Sequence, residues 1–354
     1  MGRIDILICC SGDAFGAIKV KGVRMEKTKE RLSYIDMVKG LSIICVVLTH
    51  IYGVPEELKS IISHFDVTVF YTVSGLLTAY NEGEKHKDIY TTIKRGIVTL
   101  IIPYLFFCSL FIVVFIFQGS DENYIKIATQ SMFSLLGIGA LWFIPCLFIT
   151  RIVFFGVRRL IEFINKKTDK NNKIVIFISM GLILLLGINF RNILPRTYIT
   201  AMLFRIIVAT ALYSVGYYLQ PSLKKIQINI WVLIILLAGC FFIAIQIGVF
   251  QVWDTQSANL SLSVIISIIE SICIIMLFQK LPNARLLEYC GKNSMILLGT
   301  NQILLIIIYM LGVRSLFLTI ISLIILEIIT ITILNKFLPF CIRKEKVLKL
   351  IIIA

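Results

Sequence analysis

The sequence predicts an all-α integral membrane protein, a bundle of about ten transmembrane helices with both termini in the cytoplasm. The chain has 354 residues, of which 58% are hydrophobic, and its mean hydropathy is +0.93. Several apolar runs reach the roughly 20 residues that a helix needs to cross a bilayer. Lysine and arginine concentrate in alternate connecting segments, as they do when a chain crosses a membrane repeatedly.

Ten spans are predicted because apolar runs of suitable length recur between polar segments. In chain order, they cover residues 34–53, 61–80, 97–117, 141–157, 174–190, 201–219, 230–249, 260–279, 294–312 and 315–337. With the N-terminus inside, the inner segments carry 26 Lys and Arg and the outer segments carry five. This excess follows the positive-inside rule and sets the orientation. Residues 124–139 are apolar but short, so we expect an interfacial or re-entrant element on the outer side.

The predicted organisation has one large unit and two short ends. Residues 1–30 are expected to form a disordered cytoplasmic extension, 31–338 the membrane domain, and 339–354 a basic cytoplasmic tail. Met25 is an alternative start, because the informative segments follow it. The formal charge of +15 lies mainly in short loops, which argues for topology signals and against a nucleic-acid partner. No CxxC or HExxH motif occurs, so we expect no metal site.

The first span combines three ionisable side chains in the stretch RLSYIDMVKGLSIICVVLTH. At roughly 100° per residue, Lys39 and His50 lie within roughly 20° of each other around the helix, and Asp36 lies within roughly 40° of His50. They therefore share a face. A lipid-facing ionised group costs roughly 2.5–3.5 kcal/mol, so this face is expected to point into the bundle or a wet cavity.

These three residues have a functional and a structural interpretation. His50 can exchange a proton near neutral pH and is the candidate general base; the alternative is an interfacial histidine that bonds a neighbour. Asp36 and Lys39 are three residues apart, so they can form a structural ion pair. Alternatively, they form a polar contact site for an anionic donor from the cytoplasm.

Other polar positions interrupt later spans. Glu270 and Glu327 lie mid-span, and Arg205 lies near the start of the sixth span. Such residues are functional candidates, although either glutamate could simply pair with Arg205. Ser74 and Gly75 interrupt the second span, which indicates either a kink beside a site or close packing of small residues.

Several segments together carry a family resemblance. They are R-x4-D-x2-K-G-x9-H, VFYTVSGLL, KRGIVTLIIPYL, ALWFIPCLFI (which contains Trp142 at the outer interface) and LLEYCGKNSMILLGTNQIL. Their order and spacing resemble the integral-membrane acyltransferase type 3 family, in the branch of fucose 4-O-acetylase-like and related sugar O-acetyltransferases. The resemblance covers about residues 30 to 338.

The resemblance implies an O-acyltransferase of the cell membrane, expected in a bacterial plasma membrane. It would move an acyl group, usually acetyl, from cytoplasmic acetyl-CoA to a hydroxyl of a cell-surface or lipid-linked carbohydrate. Acetyl-CoA is then the donor substrate and no bound cofactor is expected. His50 matches the family's catalytic histidine. A glycan or lipid-linked sugar transporter or flippase, or an inactive scaffold of the same fold, remains an alternative.

The chain also departs from the family pattern. Lys39 stands where arginine is common, and it lacks the guanidinium fork. The third span opens with Lys94 and Arg95, where relatives often have two spaced arginines; both are expected to contact the donor. Many relatives have a histidine near the position of Asn301, so His50 is expected to act alone. A buried carboxylate, Glu270 or Glu327, is expected to orient it.

Overall fold

The computed structural model describes residues 32–82, 89–165, 178, 181–184, 187–188, 197–223, 225–250, 252 and 257–338. Within these ranges all regular secondary structure is helical. The predicted N-terminal extension, the C-terminal tail and most of the predicted span 174–190 lie outside them.

Twelve α-helices are described. Their bounds are α1 Ser33–Thr49, α2 Glu56–Glu82, α3 Ile89–Gly96, α4 Ile102–Phe117, α5 Glu122–Phe133, α6 Phe143–Asn165, α7 Tyr198–Leu219, α8 Ile230–Ile247, α9 Leu260–Phe278, α10 Arg285–Lys292, α11 Ser294–Met310 and α12 Leu316–Phe337. A π-helical turn, Ile97–Ile101, joins α3 to α4, and a 3₁₀ turn, Gly139–Trp142, precedes α6. Each predicted span other than 174–190 coincides with one of these helical segments.

The helices indicate a multi-pass membrane protein. In the described part of the chain, seven helical segments are long and apolar enough to cross a bilayer, and α10 with α11 forms a further one bent by 80°. The 17 residues of α1 cover about 26 Å, a little less than a hydrocarbon core of roughly 30 Å. The count of ten spans and the orientation of the termini stay predictions.

Two irregular segments have local causes. Pro103 lacks an N–H group and cannot complete the hydrogen-bond ladder of a regular helix, and the π-helical turn ends two residues before it. The 12 residues of α5 cover only about 18 Å, too little to span. The Tyr104 hydroxyl donates to the carbonyl of Met132 at 2.9 Å, which docks the end of α5 on α4.

Glycines let α1 and α10 pack backbone to backbone. A Cβ added at Gly40 would lie 1.9 Å from the carbonyl oxygen of Leu287, and one at Gly291 would lie 1.8 Å from that of Asp36. Both distances are far below van der Waals contact, so only glycine permits this approach. The crossing fixes the position of the N-terminal half of α1, which the sequence predicts to be the cytoplasmic half.

A second glycine crossing joins α2 to α7. A Cβ at Gly75 would lie 1.9 Å from the carbonyl oxygen of Tyr213, and one at Gly216 would lie 1.8 Å from that of Thr72. Close approach through small residues is a common way for membrane helices to associate. Since α2 also packs against α1, α8 and α9, it forms the centre of the described bundle.

Candidate functional site

The end of α1 determines how His50 is held. The His50 amide N–H donates to Val47 at 3.2 Å, one residue short of the regular helical partner. The Val46 carbonyl thereby becomes available to side chains, as carbonyls at helix C-termini often are. It accepts the Thr49 hydroxyl at 2.8 Å and binds Nδ1 of His50 at 2.6 Å.

This contact fixes the imidazole tautomer. A carbonyl oxygen only accepts, so Nδ1 of His50 must carry the hydrogen and donate it to Val46. In the neutral ring, Nε2 then holds the lone pair. The ring is consequently oriented as a base, with its free nitrogen away from the main chain.

His50 lines a cavity of about 390 Å³. The cavity lies between the end of α1, the first half of α2, the 3₁₀ turn before α6 and the segment after α8, and its volume is within the roughly 300–1,000 Å³ typical of small-molecule sites. The wall includes both polar and aromatic side chains: Thr49, His50, Lys59, Asp66, Trp142 and Phe250. In the predicted orientation this is the outer half of the bundle.

The ionisable side chains that α2 contributes to the cavity lie at two levels along the helix. Glu56 and Lys59 pair at 2.7 Å on the first turn, where the glutamate is largely exposed and the pair adds little stability. Asp66 lies two turns deeper and is buried, with one oxygen accepting the Val67 amide N–H at 2.5 Å. The cavity thus contains an imidazole and a buried carboxylate.

Trp142 is fixed by the turn that carries it. The turn begins at Gly139, whose φ of 52° lies in the left-handed region, and the Ala140 amide N–H donates to Oε1 of Gln302 at 2.8 Å. On the other side, the Arg205 guanidinium lies 5.3 Å from the centre of the indole ring, within cation–π range. The turn is therefore anchored to α11, and the indole it carries packs against Arg205 of α7 while lining the cavity.

The two glutamates named from the sequence lie elsewhere. Glu270 on α9 is fully buried, and neither of its oxygens has a hydrogen-bond partner in the described structure. Glu327 on α12 accepts the Thr300 hydroxyl at 2.8 Å. Neither bonds to His50 or Arg205 among these contacts, so the imidazole is oriented by a main-chain carbonyl instead of the expected carboxylate.

The residues expected to bind the acyl donor lie toward the end of the bundle opposite to His50. Nζ of Lys39 is 3.5 Å from the carboxylate of Asp36, so the ion pair predicted from their spacing is present. Eleven helical residues separate Lys39 from His50, a rise of about 16 Å. Lys94 and Arg95 are exposed on the last turn of α3, which packs against α6. No described contact joins them to Lys39.

A family model described as an acyltransferase domain matches residues 32–335, most of the chain. The chain belongs to the acyltransferase 3 family. This confirms the family predicted from the sequence and indicates a membrane acyltransferase. A search of curated proteins and a search of solved structures each gave no significant match.

Three further residues named from the sequence lie outside the lining of the His50 cavity. Gly75 lies at the close contact between α2 and α7. Ser74 lies one helical turn after Phe70, which lines the cavity. Asn301 is fully buried on α11, where its amide donates to two carbonyls of its own helix, including that of the cavity residue Leu298 at 3.1 Å. Ser74 and Asn301 thus lie close to cavity residues along their helices without lining the cavity themselves.

Asp66 was not identified by the sequence reasoning, although the signal was present. It is an acid inside the predicted span 61–80, and the rule that singled out Glu270 and Glu327 applies equally to it. Phe250 also lines the cavity, and its amide N–H donates to the Ser63 hydroxyl at 2.9 Å; no sequence pattern marks it. Across the described ranges, no three His, Cys, Asp or Glu side chains form a metal-binding group.

Proposed function

We propose that this acyltransferase transfers an acetyl group from cytoplasmic acetyl-CoA to a hydroxyl of a cell-surface or lipid-linked carbohydrate, in a bacterial plasma membrane. The observation that carries the proposal is the imidazole of His50, whose Nδ1–H is held by Val46 while the ring lines the cavity. A histidine held in one tautomer beside a ligand-sized cavity is suited to general base catalysis.

The proposed reaction places each proton. Nε2 of His50 removes the proton of the acceptor hydroxyl while the hydroxyl oxygen attacks the thioester carbonyl carbon. The carbon–sulfur bond breaks with its electron pair on sulfur, and the thiolate receives the proton. During the transfer the Val46 carbonyl stabilises the imidazolium through Nδ1–H. A positioned base of this kind contributes roughly 10²–10⁴-fold in rate.

The donor would enter from the cytoplasmic end. Lys39, held beside Asp36, and the exposed Lys94 and Arg95 are the proposed contacts for the phosphates. The distance of about 16 Å along α1 between Lys39 and His50 requires an extended donor. The pantetheine arm of coenzyme A has this shape, which supports an acyl-CoA over a compact acyl phosphate.

The acceptor would occupy the outer cavity. The indole of Trp142 offers an apolar face, while Lys59, Glu56 and Asp66 offer hydrogen-bonding groups. An aromatic face combined with a few polar groups suits a sugar ring, which has both C–H faces and hydroxyls.

The test is transfer of radiolabelled acetyl from acetyl-CoA into glycan by membranes that contain the protein. His50→Gln is expected to lose roughly 10²–10⁴-fold of the transfer rate, since Gln cannot accept the proton. The comparison variant is His64→Gln, because His64 does not line the cavity: its ring lies behind the wall residue Phe250 and bonds Ser60 and Ser263. Equal label from wild type and His50→Gln at matched protein levels would overturn the role of His50. Glycan uptake into vesicles without any label would favour the transporter.

A further inference from the structure

Glu270 is a buried acid without any compensating partner. Its side chain is 0% exposed, it lies in the middle of α9, and neither carboxylate oxygen has a hydrogen-bond partner among the described residues. An ionised carboxylate in this environment would be strongly disfavoured, because burial removes its hydration without any bond or cation in return. The geometry therefore favours a protonated acid at this position.

Asp66 is a second buried acid and lies on α2, which packs against the helix of Glu270. Its side chain is 7% exposed, one oxygen accepts the Val67 amide N–H, and the residue lines the His50 cavity. The hydroxyls of Thr68 and Ser271 lie 3.5 Å apart where α2 packs against α9, so Asp66 and Glu270, one or two residues away, lie at the same level of this contact. One acid of the pair is thus fully enclosed, whereas the other reaches the cavity.

The surroundings of the pair contain thiols and hydroxyls. Cys45 on α1 and Cys273 on α9 lie in one buried cluster with residues of α2, and Cys240 on α8 is also buried. The hydroxyls of Thr68 and Ser271 approach each other at 3.5 Å between α2 and α9.

The described structure offers the pair no cationic partner. The nearby histidine on α2, His64, uses its ring nitrogens for the Ser60 carbonyl and the Ser263 hydroxyl. Arg205 on α7 lies over Trp142. Among the described residues, no Lys, Arg or His makes an ion pair with Asp66 or Glu270.

We propose that Asp66 and Glu270 together carry one proton in the resting protein, held on Glu270, and that Asp66 exchanges protons with the His50 cavity. Two interacting carboxyl groups in a low-dielectric interior without a cation cannot both ionise, as in other buried acid pairs. The enclosed Glu270 keeps the proton, and Asp66 provides the route to water in the cavity.

The pair can store the proton that is moved during acyl transfer; this part of the inference rests on the proposed function. His50 receives the proton of the acceptor hydroxyl, and the singly protonated pair accepts it through Asp66 and becomes neutral. The pair then returns the proton, by way of the cavity, to the thiolate left by the donor. No net proton is gained or lost.

Infrared spectroscopy of the purified full-length protein in lipid nanodiscs tests the proton site directly. The wild type is expected to show at neutral pH a carboxylic C=O band that Glu270→Gln removes. Asp66→Asn is expected to shift this band in frequency and to slow its response to D₂O several-fold, because the route through the cavity is altered. Glu327→Gln is the matched control, since it should remove a different band, one that does not respond to Asp66→Asn.

A second measurement needs no substitution and covers the case of a variant that does not fold. Dicyclohexylcarbodiimide reacts with protonated carboxyl groups in apolar surroundings, so mass spectrometry of the wild type should find the adduct on the Glu270 peptide. No band lost in Glu270→Gln, or no adduct on Glu270, would overturn the proton site. The expected band in a protein that transfers no acetyl label would overturn only the proposed function.

Discussion

The crossing between α2 and α7 gives a quantitative prediction. In Gly216→Ala the new Cβ would lie 1.8 Å from the carbonyl oxygen of Thr72, whereas ordinary contact begins at 3.4 Å. The two backbones therefore have to move apart by about 1.6 Å. Overpacking of this kind costs about 1–3 kcal/mol of unfolding free energy, because backbone atoms cannot turn aside as a flexible side chain can.

Gly156→Ala on α6 is the matched control. A Cβ at Gly156 meets no atom within 4 Å, so the substitution adds only helix propensity, a gain of up to about 1 kcal/mol. The double variant Gly75→Ala/Gly216→Ala should lose less than the sum of the single variants. Both new Cβ atoms lie in one crossing, and the separation that admits the first makes room for the second.

Thermal unfolding in detergent, followed by a thiol-reactive fluorogenic dye, measures these effects. The dye reports unfolding because the protein has buried free cysteines: Cys45, Cys108, Cys146, Cys240 and Cys273. Gly216→Ala is expected to unfold at a lower temperature than the wild type, and Gly156→Ala at an equal or higher one. Indistinguishable transitions for the two variants would refute the backbone-contact argument, as would strict additivity in the double variant.

Three further substitutions probe the supports of the cavity. Gln302→Leu leaves the Ala140 amide N–H without its acceptor, so it should cost about 1–3 kcal/mol and raise the acceptor KM, measured by dye unfolding and acetyl transfer. Trp142→Leu should raise the acceptor KM and leave the acetyl-CoA KM unchanged; a change confined to the donor KM would refute the assignment of the outer cavity to the acceptor. Tyr104→Phe should cost about 0.5–1.5 kcal/mol through the lost bond to Met132, with no change in either KM.

Much of the fold could be predicted because membrane helices are long and apolar and are flanked by charged residues in the connecting segments. The predicted spans 230–249 and 260–279 coincide almost residue for residue with α8 and α9. The prediction was less accurate where local chemistry overrides hydropathy. The 294–312 span begins after an 80° break at α10, and this short helix is held by Gly291 against α1, a contact between distant parts of the chain that periodicity does not encode.

The site could be predicted only in part, for a physical reason that concerns His50. Its position on the first span was visible, and so was the pairing of Asp36 with Lys39. The group that orients the imidazole could not be predicted, because it is the main-chain carbonyl of Val46. This carbonyl is available because the His50 amide N–H bonds Val47 instead of Val46. Every residue has such a carbonyl, so sequence reasoning looked to side-chain acids instead. Because the Val46 carbonyl orients the imidazole, Glu270 is not needed for that role. Glu270 can therefore form the proposed proton site with Asp66.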